Sequence, residues 1–151
     1  VTLVLFLLLS VSSSVMAAVS ITEIQGLHYP SVIQNTNKSS KVVLTWKGTL
    51  GGSTNVELVD QFYHQAKFRV TSNGTSPISI NVTSLGNEAK VSLRGFKIRY
   101  KNKTYKKFPV TGLDNPGLTG EEIWLGAQVK AGKRAKPGLK RPEYLLEIND
   151  D

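Results

Sequence analysis

The residues able to do chemistry are few. His28 and His64 are the two histidines of the 151-residue chain, and cysteine is absent. Without cysteine there is no thiolate zinc site, Cys nucleophile, iron–sulfur ligation or disulfide framework. Asp60 and His64 are four apart, a spacing that pairs side chains on a helix. The residues around them read as strand or loop instead, and no G-x-S-x-G nucleophile turn is present. Two histidines in separate segments do not make a zinc site. Glu121-Glu122 is a carboxylate pair, but neighbours in a strand point to opposite faces, which does not suit glycoside chemistry. In a helix the same two residues would be first-turn acids answering the dipole. Asn149-Asp150-Asp151 is acidic without the geometry of a calcium loop. The sequence therefore offers no catalytic residue, no metal ligand set and no cofactor motif, and it reads as a non-enzyme.

What it does offer is charge. Nineteen Lys and Arg against eleven Asp and Glu give +8 at pH 7. Most of these cations fall in two windows that contain no acid. The first holds Lys97, Arg99, Lys101, Lys103, Lys106 and Lys107. The second holds Lys130, Lys133, Arg134, Lys136, Lys140 and Arg141. In the first, Lys97, Arg99 and Lys101 occupy the outward phase of a strand whose inward phase is Phe96, Ile98 and Tyr100. In the second, Gly132-Lys133-Arg134-Ala135-Lys136-Pro137 resembles a proposed heparin-binding consensus, X-B-B-X-B-X with B basic. Adjacent cations of this kind present a compact positive patch to sulfates and carboxylates along a polysaccharide. The competing reading is a strand edge and a loop kept soluble by lysine.

Gly132-Lys133-Arg134 also resembles the amidation and dibasic signal of secreted peptide precursors, whose cleavage would free the last strand. Lys140-Arg141 is followed by Pro142, which obstructs cleavage there. A different kind of site would use aromatics. Tyr29, Phe62, Tyr63 and Trp124 could line a lectin-like, small-ligand or protein-recognition surface.

The compartment is legible at the start of the chain. Val1 to Leu9 is apolar but for Thr2, a serine-rich stretch follows, and Val15-Met16-Ala17-Ala18 supplies small residues for signal peptidase. Residues 1–18 read as a signal peptide, cleaved after Ala17 or Ala18. The lack of an initiating Met and of a basic leader reads as N-terminal truncation. The alternative, an anchor running to Thr22, is weakened by the serines in its second half. No later segment has the length or apolarity of a membrane span. Four sequons agree with export: Asn37-Lys38-Ser39, Asn73-Gly74-Thr75, Asn81-Val82-Thr83 and Asn102-Lys103-Thr104. A secreted, N-glycosylated protein meets acidic polysaccharide or another anionic extracellular matrix and not nucleic acid.

These residues must be positioned by residues 19–151, read as one domain. Alternation of period two runs through Val42-Leu44-Trp46, Val56-Leu58, Ala66-Phe68-Val70, Ile78-Ile80-Val82, Val91-Leu93 and Phe96-Ile98-Tyr100. Val19 to Gln25 and Tyr144 to Ile148 are further strands. Short alternating runs punctuated by Gly, Pro, Asn and Ser predict an all-β, antiparallel two-sheet sandwich of about eight to ten strands. Thr119-Gly120-Glu121-Glu122 has the form of a helix capping box. Ile123, Leu125, Ala127 and Val129 nevertheless alternate cleanly, and Gly126 would weaken a helix, so a strand is expected. Residues 131–142 read as loop. Ser40-Lys41-Val42-Val43-Leu44-Thr45-Trp46 resembles the second strand of fibronectin type III domains, which carries a buried tryptophan. Gly95 to Tyr100 looks like that family's next strand but comes too late in the chain. The resemblance implies immunoglobulin/fibronectin-like sandwich architecture and not membership of the family.

Overall fold

The computed structural model describes residues 18–86 and 88–151. Residues 1–17 of the expected signal peptide lie outside the described residues. Among the described residues the regular elements are all strands: β1 (Val19–Gln25), β2 (Val32–Gln34), β3 (Ser40–Leu44), β4 (Val56–Leu58), β5 (Ala66–Ser72), β6 (Ile78–Ser84), β7 (Val91–Tyr100), β8 (Lys103–Tyr105), β9 (Val110–Leu113), β10 (Glu121–Ala131) and β11 (Tyr144–Asp150). These eleven exceed the expected number because β2, β8 and β9, of three, three and four residues, are too short to show an alternation in the sequence.

A large sheet runs β1-β5-β10-β7-β8, with β3 also paired to β10. A small sheet runs β11-β6-β9, and β2 and β4 form a separate ribbon. All pairings are antiparallel. The chain repeatedly changes sheet, from β5 to β6, back at β7, across at β9, back at β10 and across again at β11. The inward phases of the two sheets therefore share one core. Phe68, Ile98, Ile123 and Leu125 of the large sheet pack with Ile78, Ile80, Val82 and Leu113 of the small one. Each such side chain, fully buried, contributes about 1.5–3 kcal/mol. This is the all-β antiparallel sandwich that the alternation predicts.

The capping box does not make a helix. Gly120 adopts φ +85° and its α-carbon faces the Val70 carbonyl so closely that a Cβ would lie 2.7 Å from it. The chain turns there directly into β10, where burial of Ile123, Leu125 and Ala127 on one face outweighs the local capping signal.

β10 is the organising strand. Residues Glu121 to Leu125 pair with β5, whereas Ala127 to Ala131 pair with β3 on the same side. Gly126 sits at the exchange. A Cβ on it would collide with the backbone of Leu44, Thr45 and Trp46, so only glycine lets the chain leaving β3 pass over the outer face of β10. On the other side, β7 pairs along nearly all of β10. Gly126 faces Lys97 and Gln128 faces Arg94, leaving Gly95 and Phe96 together opposite Ala127. With Gly95 at φ +61° this is a β-bulge. It explains why Val91-Leu93 and Phe96-Ile98-Tyr100 are out of phase in sequence yet all buried. The two runs are one strand.

Two-residue turns complete the scaffold. Tyr100 pairs with Lys103, and the intervening Lys101 and Asn102 adopt φ +44° and +65°, the left-handed pair of a type I′ hairpin. The Tyr100 hydroxyl donates to the Asp114 carbonyl at 2.6 Å, fixing the connection that leads toward β10.

Candidate functional site

Cross-strand register assembles a site on the outer face of the large sheet. Ile123, Leu125 and Ala127 point into the core, so Trp124 points out. In register beside it stand Lys67 of β5 and Arg99 of β7. The chain passing over Gly126 delivers Trp46 to the same face. The two indoles lie 6.2 Å apart at 42°. The Arg99 guanidinium is 4.7 Å from the Trp46 ring centre, Lys67 Nζ is 4.9 Å from that of Trp124, and Lys47 Nζ is 5.5 Å from Trp46. Each such exposed cation–π contact contributes about 0.5–1 kcal/mol. Together they hold long cationic side chains in place that would otherwise be free to rotate.

One carboxylate enters this array. Glu122 accepts from Trp124 Nε1 at 2.8 Å and lies 3.9 Å from Arg69, its register partner on β5. Both members of that ion pair are about two-fifths exposed, so the pair is worth less than about 1 kcal/mol. Beyond it opens a shallow depression of about 570 Å³, bordered by Arg69, Arg99, Lys101, Asn102, Glu121, Glu122 and Trp124. Lys101 Nζ donates to the Asn115 carbonyl at 2.9 Å, and Arg99 donates to Asn102 Oδ1 at 3.5 Å. Along β10 the cationic row continues with Lys97 beside Gly126, Arg94 beside Gln128, and Lys130 beside Lys41.

The residues expected from the sequence to bind polyanions are thereby sorted. Lys97, Arg99 and Lys130 are on the outer face and Lys101 is at its rim. Lys103 pairs with Tyr100 on the opposite face of the hairpin, and Lys106 and Lys107 lie in the loop between β8 and β9. Lys133, Arg134, Lys136, Lys140 and Arg141 belong to the loop that follows β10. That loop is anchored by Arg134 N–H to the Thr36 carbonyl at 2.9 Å, by Lys90 Nζ to the Lys133 carbonyl at 3.3 Å, and by Arg141 N–H to the Glu88 carboxylate. Because β7 and β10 are antiparallel, the two basic windows diverge along β10: Lys97 stands opposite Gly126, about 13 Å from Lys130 at about 3.3 Å per residue, whereas Lys101 and Lys133 lie toward opposite ends of the strand. They do not form one compact patch. Sequence reading missed Trp46, Lys47, Lys67, Arg69 and Arg94. The signal was present in part, since Lys67 and Arg69 are the polar phase of Ala66-Phe68-Val70.

The aromatics considered as an alternative site do not converge. Tyr29 donates its hydroxyl to the Ala127 carbonyl at 2.5 Å, and burial pushes its pKa well above the usual tyrosine range. Phe62 and Tyr63 border a second open depression with His28, Gln61 and His64, apart from Trp124. There His28 and His64 stack at 5.3 Å and exchange backbone hydrogen bonds at 3.0 and 3.1 Å. Asp60 does not serve His64. Its carboxylate accepts the backbone N–H of Phe62 at 3.0 Å and of Ser31 at 3.2 Å, which with the nearby His28 holds it below the ordinary carboxylate range. Among the described residues, no three His, Asp or Glu side chains group to hold a metal.

Of the sequon asparagines, Asn37 lies in the turn before β3, Asn73 in the turn after β5 and Asn102 at the hairpin tip, all exposed. Asn81 is on the outward phase of β6, half-buried, with Nδ2 donating to Glu147 at 3.3 Å and Thr83 at 3.4 Å. The tryptophan of the fibronectin-like segment departs from that resemblance. Trp46 is half-exposed on the outer face and not in the core. Comparison with protein families, curated proteins and solved structures finds no match for the chain.

Proposed function

We propose that this is a secreted, N-glycosylated, non-enzymatic protein that binds acidic polysaccharide, or another anionic component of extracellular matrix, through the outer face of its large sheet. The observation that carries the reading is the pair Trp46 and Trp124 interleaved with Lys47, Lys67 and Arg99 on an open surface. Indole faces take the apolar face of a sugar ring, and fixed cations take its sulfates and carboxylates. Holding the cations against the rings lowers the ordering entropy that binding would otherwise cost. Lys97, Arg94 and Lys130 extend the array along β10, which suits a linear polymer better than a single small anion.

Heparin chromatography of the glycoprotein, beside a size-matched control of equal net charge, tests this. The protein should elute later than the control, with retention that falls steeply as salt rises. Elution with the control would sink the reading. A second reading, recognition of uncharged sugar by the same two tryptophans, predicts binding that hardly changes with salt and disappears in Trp124→Ala.

A further inference from the structure

We propose that Asn102 carries an N-linked glycan that covers the Arg99–Trp124 end of this cationic face and so regulates its hold on polyanions. The inference rests on the polyanion reading above. Asn102 is the exposed second residue of the type I′ turn between β7 and β8, at φ +65°. Thr104, which completes its sequon, is exposed and pairs with Arg99.

The chemistry of attachment fits the contacts. The oligosaccharide comes from a lipid-linked pyrophosphate donor. The bond from sugar C1 to the pyrophosphate oxygen breaks, C1 bonds Asn102 Nδ2, Nδ2 gives up one proton, and the lipid pyrophosphate leaves. The atom that Arg99 engages is Oδ1, at 3.5 Å, which keeps its lone pairs after the reaction. Asn81 is the opposite case, because its Nδ2 is already donating to Glu147 and Thr83. Asn73 holds Ala18 N–H at 2.6 Å and borders no cation array. Asn102 alone among the four sequon asparagines lines the depression with Arg69, Arg99, Lys101 and Trp124.

A bulky glycan rooted there stands between these side chains and any incoming polymer. Lys97, Arg94 and Lys130 lie further along β10 and stay open. The glycan therefore weakens binding without abolishing it.

The test uses the full chain secreted from a glycosylating host, with glycopeptide mapping of all four sequons and binding to immobilised heparin at 0.15 M salt. Thr104→Ala removes the sequon but keeps the Asn102 carboxamide, and Asn102→Gln removes both. Both variants should lose the mass of one glycan and bind heparin about threefold more tightly, as the exposed cations at that end return. Mapping that finds Asn102 bare overturns the proposal. So does a glycan at Asn102 whose loss leaves heparin binding unchanged, while the polyanion reading survives if that binding is strong. If neither wild type nor variants bind beyond the charge-matched control, the polyanion reading falls and the masking falls with it.

Discussion

The two outer faces of the sandwich are made from the same alternation but carry opposite chemistry. On the large sheet the outward positions include Lys67, Arg69, Arg94, Lys97, Arg99, Trp124 and Lys130. On the small sheet, β6, β9 and β11 contain no Lys or Arg, and the outward row is Ser79, Asn81 and Thr83 beside Asn149, Glu147 and Leu145. Solubility alone would not divide the charge this way. Protection of sheet edges could account for Arg94 and Lys97, on the part of β7 that β8 does not reach, but not for Lys67, Arg69, Arg99 and Lys130, which have paired strands on both sides, and the edge strand β1 has no lysine. Cations have been placed where two tryptophans can hold them, which is a reason to read that face as the working one.

The comparison is broken most severely at the glycine that makes the working face possible. Gly126→Ala drives a methyl group into the backbone of Leu44, Thr45 and Trp46. Relief requires β3 to lift from β10, so the expected loss is about 3 kcal/mol or more, read by urea denaturation. Gly52→Ala meets nothing within 4 Å and should stay within about 0.5 kcal/mol. If the Gly126 variant is equally stable, the crossing over β10 is wrong and the tryptophan pair with it.

A second change leaves the fold alone and moves the charge. Replacing Lys67, Lys97 and Arg99 with Ala should lower heparin affinity by about tenfold or more at 0.15 M salt, since each lost contact also flattens the salt dependence. Restoring the net charge on the other face, with Ser79, Asn81 and Thr83 changed to Lys, should not restore binding. If it does, total charge governs and the distinction between faces has no functional content. Substituting Lys133, Arg134 and Lys136 tests the loop at the far end of β10, and the smaller effect is expected there because no aromatic ring fixes those side chains.

The division between faces also shows what a sequence can and cannot reveal. The inward phase was readable because it repeats within each strand: Phe96-Ile98-Tyr100 and Ile123-Leu125-Ala127 needed no partner to be recognised. The basic loop was readable because its cations are adjacent in the chain. The site on the large sheet was not, because it is made by register. Lys67, Arg99 and Trp124 come from three segments, and nothing local says that β5 and β7 flank β10 at the same level. Trp46 looked like core because it continues the phase of Val42 and Leu44. The chain leaves the sheet after Leu44, however, and the phase ends there. Gly95 hid a single strand as two, since a bulge shifts the alternation by one residue.

Between the faces, three tyrosines give a smaller effect that both share. Burial raises the pKa of Tyr29 and Tyr100 well above the ordinary value and pushes Tyr144 up to about 12. For an acid whose neutral form the fold prefers, stability is fully present below the unfolded value near 10 and is lost as pH rises above it. For Tyr144 the loss runs from about pH 10 to about pH 12, at no more than about 1.4 kcal/mol per pH unit. Denaturation midpoints should fall over that window, and tyrosinate absorbance should rise late in the native protein and near pH 10 in urea. Tyrosinate signal complete by pH 10.5 under native conditions would show that these hydroxyls are not enclosed between the sheets.

The finest test concerns Glu122, the carboxylate that interrupts the working face. It pairs with Arg69 and takes the Trp124 N–H, so it both subtracts a cation and orients an indole. Glu122→Gln keeps an acceptor for Trp124 Nε1 while releasing Arg69. Because the ion pair is exposed, stability should change by less than about 0.5 kcal/mol. Heparin affinity should rise by about twofold as the repulsion of one negative charge disappears. Glu122→Ala gains the same charge but loses the indole's partner, so its gain should be smaller. If the two substitutions behave identically, only charge matters on this face. If the Ala variant binds less tightly than wild type, the orientation of Trp124 outweighs the charge beside it, and the tryptophans contact the ligand directly.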